Sequence, residues 1–214
     1  MMEQTKTKPD YAALLSGNAR FRESNTDYRE LARGQHPKHV VVACSDSRVA
    51  PEVITGSRLG ELFVVRAVGQ VISQSNLASL EYGVEHLGIK SIIFIAHTKC
   101  GAVTGGQEIL NASVAGKLDE GIGSDLNRTL VEIYKNLVPQ TQINSVDLTH
   151  AAVDNATAEA GKAIERSDIL RRALSEESLS VCIALYSIED GSLGIVKRAA
   201  YDRNTGKLGF VDER

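Results

Sequence analysis

Three side chains in this sequence have the chemistry to share a metal ion: Cys44, His97 and Cys100. Two thiolates and one imidazole are soft and borderline donors that suit zinc. A set of three leaves the fourth tetrahedral position for water or another protein group, the pattern of a catalytic rather than a structural site. His97 and Cys100 belong to HTKC, short enough for one tight turn to aim both at a single ion, while Cys44 opens the segment CSDSR far upstream. In that segment Asp46 can ligate the metal or accept a hydrogen bond from bound water, and Arg48 can fork onto its carboxylate, fixing it and lowering its pKa. Taken alone, HxxC spacing is more often a buried cysteine beside a hydrogen-bonded histidine than a metal site. The decision rests on what the surrounding elements do with the three.

Residues 40–43 are continuously apolar and β-branched and run straight into Cys44; residues 62–68 (LFVVRAV) and 91–96 (SIIFIA) read the same way. Such runs fit strands covered on both faces. Between the second and third, Leu77, Leu80, Val84 and Leu87 recur at helical spacing, with Asn76 placed to cap the start and Gly88 to stop the helix. Strand, helix and strand in this order make a right-handed βαβ crossover and parallel strands. The carboxyl ends of parallel strands share one crevice, which is where Cys44 and HTKC would then meet.

Elsewhere the pattern is looser. Residues 10–30 read as one helical arm capped by Asp10, and shorter helices are expected at 104–110 and 126–137. A long polar, alanine-rich helix is expected over 149–174, with breaks at Gly116, residues 121–123 and Pro139. Near the end, SLSVCIALYS, an EDG turn and SLGIVKRAA fit an antiparallel strand or pair added at one side of the sheet. The predicted fold is α/β, a central mostly parallel sheet with helices on its faces and an antiparallel edge strand. It forms a single domain over residues 1–214 with an N-terminal helical arm.

Composition narrows the function classes. At 214 residues, 43% hydrophobic and 24% charged, with a net charge of -3, the chain can bury a core and carries no basic stripe for nucleic acid or an anionic membrane. No segment approaches the ~20 apolar residues of a membrane span. Three sparse cysteines argue for ligands or catalytic groups in a reducing compartment instead of a disulfide framework, and Cys182 reads as a buried apolar residue. The expected location is the cytoplasm, and an organellar presequence already removed is compatible with it.

CSDSR at 44–48, FVVR at 63–66, SLEY at 79–82 and HTKCGAV at 97–103 together resemble the β-class carbonic anhydrases, in order and in separation, strongly over residues 35–103. The resemblance implies zinc-dependent interconversion of carbon dioxide and bicarbonate. One zinc per chain would be held by Cys44, His97 and Cys100, with Asp46 and Arg48 as the catalytic dyad. Gln35 matches the substrate-orienting glutamine of the plant-like branch. Phe63 and Tyr82 match pocket aromatics that come from the neighbouring subunit, so a homodimer, or a tetramer or larger assembly built from it, is expected. A subgroup that closes the metal with the aspartate carries a tryptophan three residues before the first ligand; here that residue is Val41, which implies the open form and a structural role for Arg66. Departures from the family are Ala96 before the histidine, Ala67 after the FVVR arginine, and RAVGQ at the end of that run. His36 and His86 are the imidazoles available to move protons. Three rival readings keep some of these residues: hydrolysis of carbonyl sulfide or carbon disulfide, bicarbonate binding without turnover, and a Cys44–Cys100 redox pair, the last weakened by the absence of CxxC.

Overall fold

The computed structural model describes residues 11–23, 28–114, 124–137 and 147–213. The chain divides into two compact units, Met1–Gln35 and His36–Arg214. In the first, helix α1 (Tyr11–Arg22) ends in a turn at Glu23, and a short helix α2 (Tyr28–Leu31) follows. The expected arm of 10–30 is thus two helical pieces, and its proposed cap, Asp10, lies outside the described residues.

The second unit holds a six-stranded sheet in the order β2-β1-β3-β4-β5-β6. Strands β1 (His39–Cys44), β2 (Leu62–Ala67), β3 (Ser91–His97) and β4 (Ser180–Tyr186) run parallel; β5 (Leu193–Asp202) and β6 (Lys207–Asp212) are antiparallel. The antiparallel strand expected at SLGIVKRAA lies within β5, and β6 follows it at the same side of the sheet. SLSVCIALYS itself joins the parallel set, because the long helical return before it crosses the sheet and lets β4 align with β3. The EDG turn closes the β4–β5 hairpin, with Gly191 N–H donating to the Ser187 carbonyl at 2.9 Å.

Helix α4 (Gln74–Glu85) is the crossover between β2 and β3. Its cap is Ser73, whose hydroxyl accepts from the Asn76 N–H; Asn76 itself donates its side-chain amide to the Val71 carbonyl, so the expected cap lies three residues too late. The helix after HTKC is twice the expected length, α5 (Gly101–Val114), and α6 (Asp125–Leu137) follows. The proposed breaks at Gly116, 121–123 and Pro139 lie outside the described residues. The long alanine-rich helix is divided at Ser167 into α7 (Leu148–Arg166) and α8 (Asp168–Ser175), since the extended backbone of Ser167 lets its hydroxyl cap the Leu170 N–H.

Where a long polar helix was expected, α7 buries much of one face. Ala151, Ala152, Ala156, Ala160, Ala163 and Ile164 are buried, and small side chains let this helix lie close on β3 and β4. The main core gathers one face of the sheet (Val40, Val42, Val65, Ile92, Phe94, Val181, Ile183) under α4 to α8. The other face carries a smaller cluster, Val41, Ala43, Ile95 and Ala184, with Ile54 of helix α3 (Pro51–Thr55) packed on it. This double coverage is why β1 and β3 read as unbroken apolar runs.

Candidate metal centre

Register brings the ligands together. Ala43 stands beside Ile95 and Cys44 beside Ala67, so β1 ends level with the last residues of β3. The chain then turns through Lys99 in the left-handed region (φ 53°), which swings Cys100 back toward the ring of His97. The donor atoms of Cys44, His97 and Cys100 all lie within 4.8 Å of one another, and all three residues are buried. All three cysteines of the chain are free thiols.

The electronic state of each donor suits a cation. His97 Nδ1 lies 2.9 Å from the Thr98 carbonyl, an acceptor-only group, so Nδ1 carries the proton and donates. Nε2 is thereby left with its lone pair, buried and without a hydrogen-bond partner. A buried nitrogen with no partner is costly unless something electrophilic sits before it. The fixed tautomer is the arrangement that outer hydrogen bonds give to metal-ligating histidines. The Cys44 thiol is lowered below the ordinary thiol range chiefly by a hydrogen bond from the Cys100 thiol. Burial opposes this, and the N–H groups of Asp46 and Gly69 add to it. Cys100 is pushed up by the neighbouring thiolate and by burial. Two thiols that resist losing both protons while packed together call for a positive charge between them. The residues present therefore fit zinc.

Asp46 and Arg48 meet as a fork. Arg48 Nε donates to Asp46 Oδ1 at 3.0 Å and Nη2 to Oδ2 at 2.7 Å, while the Arg48 N–H adds a bond of 2.9 Å to Oδ1. These bonds hold the Asp46 carboxyl well below the usual carboxylate range. Arg48 Nη2 also reaches the Lys99 carbonyl at 3.2 Å, tying CSDSR to the HTKC turn. Among the described residues no fourth side chain joins the three-donor cluster.

Other expected residues fall elsewhere. Arg66 donates to the carbonyls of Cys44 (3.0 Å) and Asp46 (2.6 Å), bracing the backbone that presents these two side chains. Phe63 and Tyr82 pack together with centroids 6.1 Å apart, and Tyr82 packs on His86 at 5.1 Å. Phe63 pairs with Val40, four residues before Cys44, so this aromatic row lies roughly 13 Å down the strands from the cysteine of its own chain. Gln35 is an exposed residue of the first unit.

Several residues at the site were not anticipated. Thr98 accepts from the Ile188 N–H and donates to Glu189, which also pairs with Lys99 at 3.0 Å, so the hairpin turn after β4 braces HTKC. Glu189 had looked like a turn residue only, and its one signal was an acidic group placed after a strand end. Gly69, Asn155 and Glu159 form a second support; the available signal was two polar residues a turn apart on an otherwise alanine face.

Residues 39–193 match the family model described as carbonic anhydrase. The chain is 30% identical to carbonic anhydrase 2 of Mycobacterium tuberculosis over 97% of its own length and 99% of that protein's. It also superposes on a tetrameric β-carbonic anhydrase from the filamentous ascomycete Sordaria macrospora at TM-score 0.70 and 27% identity, covering 86% of this chain and 95% of that one. A β-carbonic anhydrase of Aspergillus fumigatus gives TM-score 0.72 at 26% identity over 88% and 91%. Shared along nearly the whole chain, and carrying the cysteine–histidine–cysteine cluster at its strand ends, that likeness makes this chain a member of the β-class carbonic anhydrase family, whose enzymes are carbonate dehydratases.

Proposed function

We propose that the chain catalyses the reversible hydration of carbon dioxide to bicarbonate and a proton, with one zinc ion held by Cys44, His97 and Cys100. The observation that carries this is the unpartnered His97 Nε2 facing two buried thiols beside an Arg-locked carboxylate. When bound, zinc supplies Lewis acidity that makes water nucleophilic near neutral pH. Asp46, kept ionised and aimed by the Arg48 fork, accepts the hydrogen bond of the attacking water and directs its lone pair at the carbon of carbon dioxide. As the new O–C bond forms, one C=O electron pair moves onto oxygen, and Gln35 donates a hydrogen bond to that developing charge. The surplus proton leaves to solvent or buffer or by way of His36 or His86; Lys99 is occupied with Glu189.

The open, plant-like form is favoured because both Asp46 oxygens are engaged by Arg48 and because Val41 occupies the tryptophan position of the closed subgroup. The aromatic pair Phe63 and Tyr82, far from its own Cys44, serves the site of a second copy, which makes a homodimer the minimal working unit and a tetramer an assembly of such units. The whole chain acts as one catalytic domain, with α1 and α2 as an arm, working in the cytoplasm. No described helix is long and apolar enough to cross a membrane.

Stopped-flow hydration of carbon dioxide by zinc-loaded protein, run beside sulfide release from carbonyl sulfide and carbon disulfide, tests the reading. Hydration that depends on zinc content and vanishes with Asp46→Asn is expected. A correctly folded zinc protein with no hydration between pH 6 and 9, or with sulfide release alone, overturns it.

A further inference from the structure

The turn that follows β2 is gripped by a polar cluster for which the reaction has no direct use. Asn155 and Glu159, one helical turn apart on α7, are 0% and 1% exposed. Asn155 Nδ2 donates to the Gly69 carbonyl at 2.8 Å, and its Oδ1 accepts from Asn136 at 2.8 Å. Glu159 accepts from the Ile72 N–H at 2.7 Å, from Asn136 at 2.9 Å and from Lys162 at 2.9 Å. A helix that needed only to pack on β3 and β4 would be served by alanine at these positions, as it is on the rest of that face. Both buried groups instead direct their hydrogen bonds to the backbone of residues 69 and 72.

What they hold is a strained turn. Gly69 (φ 59°) and Gln70 (φ 48°) are both left-handed, and Gln70 is buried with a side chain that disfavours that conformation. Such a backbone persists where its surroundings over-determine it. The turn runs directly beside the first cysteine: Ala67 is the register partner of Cys44, the Ser45 N–H donates to the Ala67 carbonyl at 3.0 Å, and the Gly69 N–H faces the Cys44 sulfur closely enough to help lower that thiol's pKa.

We propose that Asn155 is a positioning residue for the metal centre: by fixing the Gly69 carbonyl it aims the Gly69 N–H at the Cys44 sulfur, while Glu159 secures the far end of the turn at Ile72. This rests on the zinc reading of Cys44, His97 and Cys100. A peptide N–H on a thiolate draws electron density from sulfur and restricts where the sulfur can sit, so the clasp sets both the strength and the geometry of that ligand.

The test titrates metal-free protein with cobalt(II), and measures zinc affinity by competition with a chromophoric chelator. Asn155→Asp is isosteric and replaces the donor facing Gly69 with an oxygen. Asn136→Ala is the milder variant that loosens Asn155 from behind, and it carries the test if the first does not fold. Leu170→Ala, in a fully buried position on α8, is the control for general loss of stability. Expected are a fall of about 10–100-fold in zinc affinity in the two asparagine variants and a shift of the sulfur-to-cobalt charge-transfer band to longer wavelength, with neither change in Leu170→Ala. Wild-type affinity and band position in a folded asparagine variant overturn the proposal, as does an equal loss in the control. Wild-type protein that takes up neither metal overturns the zinc reading itself, a result distinguishable from the others.

Discussion

Gly69→Ala is the substitution whose cost the structure separates most cleanly into two parts. The residue sits at φ 59°, and a Cβ built there would lie 2.5 Å from Ile133 Cδ1 and 3.2 Å from the Ala102 Cβ. Gly88 has nearly the same backbone angle, φ 66°, with nothing within 4 Å of its Cβ position. Adopting the left-handed region costs an alanine about 1–2 kcal/mol at both positions. Only Gly69 adds overpacking against a fully buried isoleucine, about 1–3 kcal/mol more. For a chain of this size an extra ~2 kcal/mol lowers Tm by roughly 4–8 °C. Gly69→Ala should therefore melt that much below Gly88→Ala, with both proteins metal-free and at matched concentration so that binding and association do not shift the comparison. A double-mutant cycle sharpens it: Ile133→Val deletes the offending Cδ1 and costs about 1 kcal/mol in the wild type, but should cost nothing or restore stability in the Gly69→Ala background. Equal melting of the two glycine variants, or an Ile133→Val cost unchanged by Gly69→Ala, would refute the reasoning.

Cys100→Ser should drop zinc content from about one per chain to a small fraction, read by elemental analysis, with the fold retained by circular dichroism. Arg48→Lys replaces a two-point fork by a single ammonium, so hydration should fall by about 10–100-fold at unchanged zinc content. Mixing Cys100→Ser subunits with Tyr82→Ala subunits should restore activity that neither has alone, because a mixed dimer would contain one site with both its metal and its aromatic; heterodimers without activity would count against subunit sharing. Glu189 is lowered to about 2 by the Thr98 hydroxyl and then by Lys99. A depressed folded-state pKa means stability that is present above the unfolded value of 4.5 and lost as pH falls through the folded one. Urea midpoints of wild type and Glu189→Gln should accordingly differ by a constant amount above about pH 5 and converge toward about pH 2, whereas a gap independent of pH would place the stabilisation elsewhere.

The centre of the sheet was legible because β1 and β3 are covered on both faces, and burial on both sides writes itself as an unbroken apolar run ending at Cys44 and His97. The Asp46–Arg48 pairing was legible because the two residues lie two positions apart on one turn. What escaped depends on contacts between distant segments. Ser73 and Asn76 are both capable caps, and only the pairing of Asn76 with the Val71 carbonyl decides between them. Ser167 divides α7 from α8 through a local extended backbone that no periodicity announces. The burial of α7 was hidden by its alanines, which read as neutral until a sheet lies against them. Glu189 reaches Thr98 across 91 residues of chain and Asn155 reaches Gly69 across 86, and spacing carries no trace of such links.

The donors come from the far ends of two strands, with a whole crossover helix threaded between them. An ion gripped by all three closes a loop of about 50 residues, an entropic cost of roughly 3–4 kcal/mol for a flexible chain. HTKC alone could catch the proposed ion early, but a threefold grip would need β1 zipped onto β3. It also demands the correct alignment: a slip of one residue would turn Cys44 to the opposite side of the sheet. Tridentate capture of the proposed zinc would thus come late in folding and would act as a proofreader of strand alignment, favouring the one pairing in which two sulfurs and a nitrogen face each other.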